Sequence, residues 1–286
     1  MISGDRLHLH MGPIDLIIRA WGRHKDRAYG VAVDRFQTVL DELVSELPIL
    51  RRDIALEETG PTGIITRRMW HAAQAYKGSF VTPMAAVAGA VADEIRFAMC
   101  EGLDLDRVYV NNGGDISVFL RAGHSLTAAV VGAVGVGAVD MHASSPARGL
   151  ATSGWRGRSH SLGIADAVTV LAPTAAAADV AATMIANAVD LPGHPAVTRT
   201  PADDLSPDSD LGPRLVTIGV GFLNDTEIHQ ALAAGRILAD GLLRKHLITG
   251  AALFLGNKTE IIGGMRQSVI ATKDTDSAKS KFEFAS

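Results

Sequence analysis

The stretch VYVNNGGDISVFLR, residues 108–121, limits the fold more than any other part of the chain. Two short apolar runs flank Asn111, Asn112, Gly113 and Gly114. Asn and Gly tolerate the positive φ of a tight turn, so the runs are expected to pair as an antiparallel hairpin. Turn chemistry gives no reason for Asp115 to open the second strand. Further β segments are expected near 107–110, 115–121, 125–132, 134–140, 148–152 and 167–172, with a strand in 12–22 and a hairpin in GAALFLGNKTEIIGG. They outnumber the crossovers a parallel sheet would need, which predicts an α+β fold with mostly antiparallel sheet flanked by helices.

Helices are expected where apolar residues recur at helical spacing. Phe36, Val39, Leu40, Leu43 and Leu47 mark one, with Pro48 ending it. A second falls near 65–76. A third opens at Thr82 and Pro83 and carries the small residues Ala85, Ala88, Gly89 and Ala92. Thr174 is expected to cap a fourth and Asp225 a fifth. The Pro-, Asp- and Ser-rich stretch 191–213 reads as a long surface excursion.

A chain of 286 residues with 47% apolar and 20% charged composition can build an ample core. One domain over 1–271, with room for two sub-lobes, and a polar, disordered tail over 272–286 are expected. A net charge of -4 gives no basic footprint for nucleic acid. The apolar runs are too short for a membrane helix, and the first residues lack the apolar region of a signal peptide. The lone Cys100 rules out an internal disulfide and fits a reducing compartment. These features predict a cytoplasmic protein that engages neither nucleic acid nor membrane. The Ala- and Gly-rich faces leave a homo-oligomer open.

Several features could carry chemistry. Asp179 and Thr183 lie four residues apart on one helix face, where a carboxylate and a hydroxyl can reach one hard cation; on spacing alone, an acid near a helix N-terminus and a common Thr is the commoner explanation. The segment ATSGWRGRSH gathers Thr152, Ser153, Arg156, Arg158, Ser159 and His160, which is either a phosphate-holding loop or a surface loop. Asp93 reads as a solvated or capping acid. VVGAVGVGA mimics a dinucleotide fingerprint, but no helix follows, so Gly-rich strands are expected. Cys100 reads as a buried structural thiol, and His8 and His10 as alternate residues of a strand.

The order of the motifs adds a family. The succession TPMAAVAGAVADEI, VNNGGDI, GLATSG, SH and AVTVLAPTAAAADVAATMI, over roughly residues 80–190, resembles the ApbE family of flavin transferases. That resemblance implies an α+β fold, a groove for FAD, and magnesium. It also implies transfer of FMN from FAD to a threonine of an acceptor protein, or hydrolysis of FAD to FMN and AMP. Asp179 and Thr183 match the family's magnesium ligands. Asn112, Gly113, Gly114 and Asp115 match the turn along the flavin nucleotide. Thr152, Ser153 and Gly154 match the strand beside the phosphates and His160 a catalytic-loop histidine, with Asp115 a second candidate for the chemistry; Thr82, which stands where the family has an upstream Asp, is a further cofactor-binding candidate.

The sequence also departs from the family. No Asp-Pro-x-Thr-Gly follows His160, and Ala88 stands at the family's lysine position. With HMGPIDLIIRA at the start and LVTIGVGFL and EIHQAL towards the end, the chain resembles most a shorter branch of the family that lacks that loop. Three readings follow: a magnesium-dependent enzyme acting on FAD; a cofactor-binding or assembly protein for flavin, pterin or a related ligand; and a structural subunit.

Overall fold

The computed structural model describes residues 1–2, 4–57, 59–132 and 135–265. The tail expected over 272–286 lies outside the described residues, as does the tip of the Gly-rich segment at 133–134.

The elements run β1 (Leu7–Met11), β2 (Ile14–Trp21), α1 (Lys25–Ser45), α2 (Leu47–Leu50), α3 (Ile64–Gln74) and α4 (Val87–Cys100). Six strands follow: β3 (Arg107–Asn112), β4 (Asp115–Leu120), β5 (Ser125–Gly132), β6 (Gly135–His142), β7 (Gly149–Ser153) and β8 (Ala167–Ala172). The chain continues through α5 (Ala175–Ala188), β9 (Val197–Pro201), α6 (Ala202–Leu205), β10 (Leu215–Val220) and α7 (Asp225–Arg244). It closes on the hairpin β11 (Gly250–Leu255) and β12 (Lys258–Gly263).

Eight strands form one sheet in the order β1-β2-β3-β4-β7-β8-β11-β12, and every neighbouring pair is antiparallel. The fold is α+β. Its registers fix the site: Asn112 faces Asp115, Ile116 faces Leu150, Ser153 faces Val168, and Ala167 faces Phe254. The β1–β2, β3–β4 and β11–β12 turns therefore gather at one end of the sheet. The end of β7 and the start of β8 lie there too.

Alternation assigns the two faces. Leu16, Ile18, Val108, Val110, Ala151, Val168 and Val170 point into a core shared with the helices. On that face α4 lies over β3 and β4, α5 over β7 and β8, and α7 over β11 and β12. The helix α3 packs on α4 and α5 from outside. The opposite residues, Tyr109, Ile116, Val118, Leu150, Leu171 and Phe254, are covered by Leu126, Ala128, Val139 and Met141 of the β5–β6 hairpin. The Gly-rich segment thus forms strands, as its sequence suggested.

Three local expectations change. Pro48 does not end a helix; α1 stops at Ser45 and Pro48 sits in the first turn of α2, where its missing N–H costs nothing. The cap of α7 is Asn224, not Asp225: its side chain accepts from the Thr226 and Glu227 amides, and Glu227 returns a carboxylate to the Asn224 amide. The excursion is structured, with β9, α6 and β10 forming a hairpin that packs on the 154–166 loop. There the Thr217 amide donates to the Ser161 carbonyl at 2.8 Å.

Candidate functional site

The helices α4 and α5 cross closely because Gly89 has no side chain. A Cβ there would lie 2.3 Å from the Ala175 carbonyl oxygen, and one on Gly149 would lie 2.2 Å from Thr174. The first turn of α5 is therefore wedged between α4 and β7.

That approach lets the two helices exchange carboxylates. Asp93 of α4 is 1% exposed and accepts from the Ala175 and Ala176 amides of α5 at 3.2 and 3.0 Å. It also accepts from the Ser117 hydroxyl at 2.6 Å, with Arg96 3.7 Å away. Thr174, capping as expected, takes the Ala177 amide at 3.1 Å. In return Asp179 of α5 accepts from the Gly89 amide of α4 at 3.0 Å. Asp93 is thus a capping acid, but for a neighbouring helix, and it is buried rather than solvated.

Asp179 shares its surroundings with Asp115. Removal from water pushes the Asp179 carboxyl well above the usual range, and the negative charge of Asp115 adds to the effect. The Gly89 and Ala88 amides oppose it. Desolvation likewise raises Asp115 to about 7, against one hydrogen bond from the Thr152 amide at 3.3 Å. Thr183 donates to Ser153 at 3.5 Å. Asp115, Ser153, Asp179 and Thr183 therefore converge on the helix side of the sheet end. Two carboxylates and two hydroxyls are hard oxygen donors suited to magnesium. Among the described residues no three His, Cys, Asp or Glu side chains cluster as a metal site.

The other predicted residues fall around this centre. Gly113 and Gly114 adopt φ of 64° and 117°, and the Asn111 side chain accepts from the Gly114 amide at 2.8 Å. A Cβ on Gly113 would sit 3.4 Å from the Arg158 guanidinium, so this arginine lies beside the turn. Asn112 is buried and donates to the Ala88 carbonyl at 3.1 Å, which ties β3 to the start of α4. Thr152 sends only its amide to the site; its hydroxyl, on the opposite sheet face, pairs with Thr169 at 2.9 Å. A Cβ on Gly154 would lie 2.6 Å from the Asp166 carbonyl oxygen, so this glycine serves close packing.

Thr82 and His160 turn towards the excursion. Thr82 precedes a 3-10 turn, Pro83–Ala86, rather than α4 itself, and its hydroxyl donates to Asp210 instead of capping. His160 lies 3.4 Å from the Ser206 hydroxyl. Burial pushes the Cys100 thiol up to about 11, as befits a structural cysteine. His8 pairs with Asp15 at 2.6 Å across the β1–β2 turn. No described helix is long and apolar enough to cross a membrane.

Comparison with known proteins places the chain in a family. A UPF0280 protein of Methanothrix thermoacetophila is 32% identical over 199 residues, covering 65% of this chain and 77% of its own. A UPF0280 protein of Methanopyrus kandleri is 33% identical over 183 residues, covering 60% and 69% respectively. A family model described as AbpE bacteria matches residues 1–262, and the chain belongs to that ApbE-like family.

Proposed function

We propose that this protein binds a flavin nucleotide, FAD foremost, with magnesium held between Asp115 and Asp179 and the diphosphate nearby. The observation that carries this reading is the pair of desolvated carboxylates on β4 and α5, beside the Ser153 and Thr183 hydroxyls. A divalent cation would offset both charges and supply electrostatic stabilisation at phosphorus. Membership of the ApbE-like family supports a flavin as the organic part.

Two outcomes of binding are compatible with that site. In transfer, the hydroxyl of an acceptor threonine would attack the FMN phosphorus of FAD; its proton would leave and AMP would depart, with water replacing threonine in hydrolysis. The second reading is binding without chemistry, for a flavin, pterin or related ligand. It is favoured by the His160 contact to Ser206 and by the use of Asp179 as a cap on α4.

Equilibrium binding of FAD with magnesium or with chelator, followed by analysis for FMN and AMP, separates these outcomes. Magnesium is expected to tighten FAD binding at least tenfold, and Asp179→Asn to remove that dependence. Identical affinity with and without magnesium in the wild type would overturn the metal reading. Metal-dependent binding without FMN and AMP, or without FMN on a co-expressed acceptor, would select the second.

A further inference from the structure

A cavity of about 430 Å³ opens at the same end of the sheet, several strands from Asp115. Its walls are the segment before α7, the β11–β12 turn and the 154–166 loop. Phe222, Leu223, Ile228 and Leu255 supply apolar surface, and Arg156 supplies the free polar edge. Phe222, Leu223 and Ile228 lie in the LVTIGVGFL and EIHQAL segments, outside the motifs of residues 80–190.

Two features make it a shaped site. Phe222 is 88% exposed, so a large aromatic face is left in water at the rim of a concavity. Arg156 is held in one orientation: its Nε donates to Asp166 at 2.6 Å, and its guanidinium lies 4.5 Å from the Trp155 ring centroid. Asp166 is fixed in turn by the Trp155 indole N–H at 3.1 Å and the Gly256 amide at 2.7 Å. The terminal nitrogens of Arg156 have no hydrogen-bond partner among the described residues, which leaves a planar pair of donors beside an aromatic wall. The charges at the cavity are paired, Arg156 with Asp166 and Asp225 with Lys258 at 2.9 Å, so Arg156 offers its unfilled N–H donors rather than a net charge.

We infer that this cavity is a ring subsite, taking a planar heteroaromatic system that stacks on Phe222 and presents carbonyl or ring-nitrogen acceptors to Arg156. A cavity of this size suits one fused ring system, and an apolar wall with few convergent donors is the usual build of such sites. Its Asp166 lies two residues before Val168, the register partner of Ser153, so ring and phosphate ends of one ligand can occupy the two places. The inference rests on the flavin reading for the identity of the ring and on the cavity for its location.

Riboflavin tests it, because it carries the ring and no phosphate. Titration followed by flavin fluorescence is expected to show binding that needs no magnesium. Phe222→Ala should weaken it about tenfold, with Phe222→Tyr restoring it. Phe222 is exposed, so its removal spares the fold, which circular dichroism verifies. Arg156→Lys, which keeps the charge and loses the fork, should also weaken binding. Wild-type affinity in Phe222→Ala, no riboflavin binding by the wild type, or a change only in oligomeric state would each overturn the ring subsite. If FAD binding still requires magnesium while Phe222→Ala is silent, the metal reading stands and this one falls. If riboflavin binding follows Phe222 while FAD affinity ignores magnesium, the reverse holds.

Discussion

Replacing Asp93 by alanine is expected to cost more stability than any other single carboxylate substitution in the helix layer. The change strips the acceptor from the Ala175 and Ala176 amides and from the Ser117 hydroxyl, all within 3.2 Å of it. It also removes the nearest counter-charge of the buried Arg96. Each buried donor left without a partner costs about 1–3 kcal/mol. Partial rescue by relaxation or by an entering water brings the expected sum to about 4 kcal/mol, a large share of the roughly 5–15 kcal/mol that holds a domain folded. The corresponding fall in Tm is about 8–16 °C. Asp93→Asn keeps one acceptor oxygen and should lose about half as much. Urea denaturation followed by circular dichroism measures this directly, with an unchanged slope confirming that the same surface unfolds. A loss below about 1 kcal/mol in Asp93→Ala would refute the view that this acid holds α5 in place.

Two further predictions concern protons. The Glu46 carboxyl, despite a burial cost that works the other way, is pulled down to about 2 by the Thr62 amide, the Thr66 hydroxyl and the Gly63 amide. Its stabilisation is full above the unfolded value near 4.5 and is lost as pH falls towards 2. Allowing for solvent screening, we expect about 1–2 kcal/mol, absent from Glu46→Gln when urea midpoints are compared between neutral and acid pH. Asp115 and Asp179 have the opposite sign: their folded carboxyls lie above the unfolded value of 3.8, so the folded state binds more protons and stability falls as pH rises through that window. In metal-free protein Asp179→Asn should therefore gain Tm relative to wild type at pH 8 compared with pH 5. A relative gain at the lower pH would contradict the desolvated-pair description.

What could be read from the sequence was local. The 3.6-residue spacing in α1 and the Asn-Gly turn report on neighbours within a few positions, and the structure bears both out. Thr174 capped its own helix for the same reason. Asp93 was a different matter: its partners are 82 and 83 residues away, so nothing near it in the chain distinguishes a solvated acid from a buried one. Asp179 and Thr183 were visible as a pair, but the α4 amides and Asp115, which set the charge state of Asp179, come from elsewhere. The segments that line the Phe222 cavity could be read one by one, but not their meeting, because a loop, a helix start and a hairpin turn share no spacing. Within 191–213, turn-forming residues obscured the short strand β9, whose pairing with β10 depends on residues beyond that stretch.

The exchange of carboxylates between α4 and α5 also sets the order in which the molecule can be built. Asp179 lies 90 residues from Gly89, and Asp93 lies 83 from Ala176, so both links close a loop containing most of the central strands. Closing so long a loop is entropically unfavourable until other contacts reward it. During synthesis α4 emerges with its first turn lacking the Asp179 carboxylate and with Asp93 still without the α5 amides. Neither is supplied until α5 has left the ribosome and docked. The Asp115–Asp179 cluster consequently cannot be complete before α5 docks, and a chain halted before residue 179 lacks both Asp179 and Thr183.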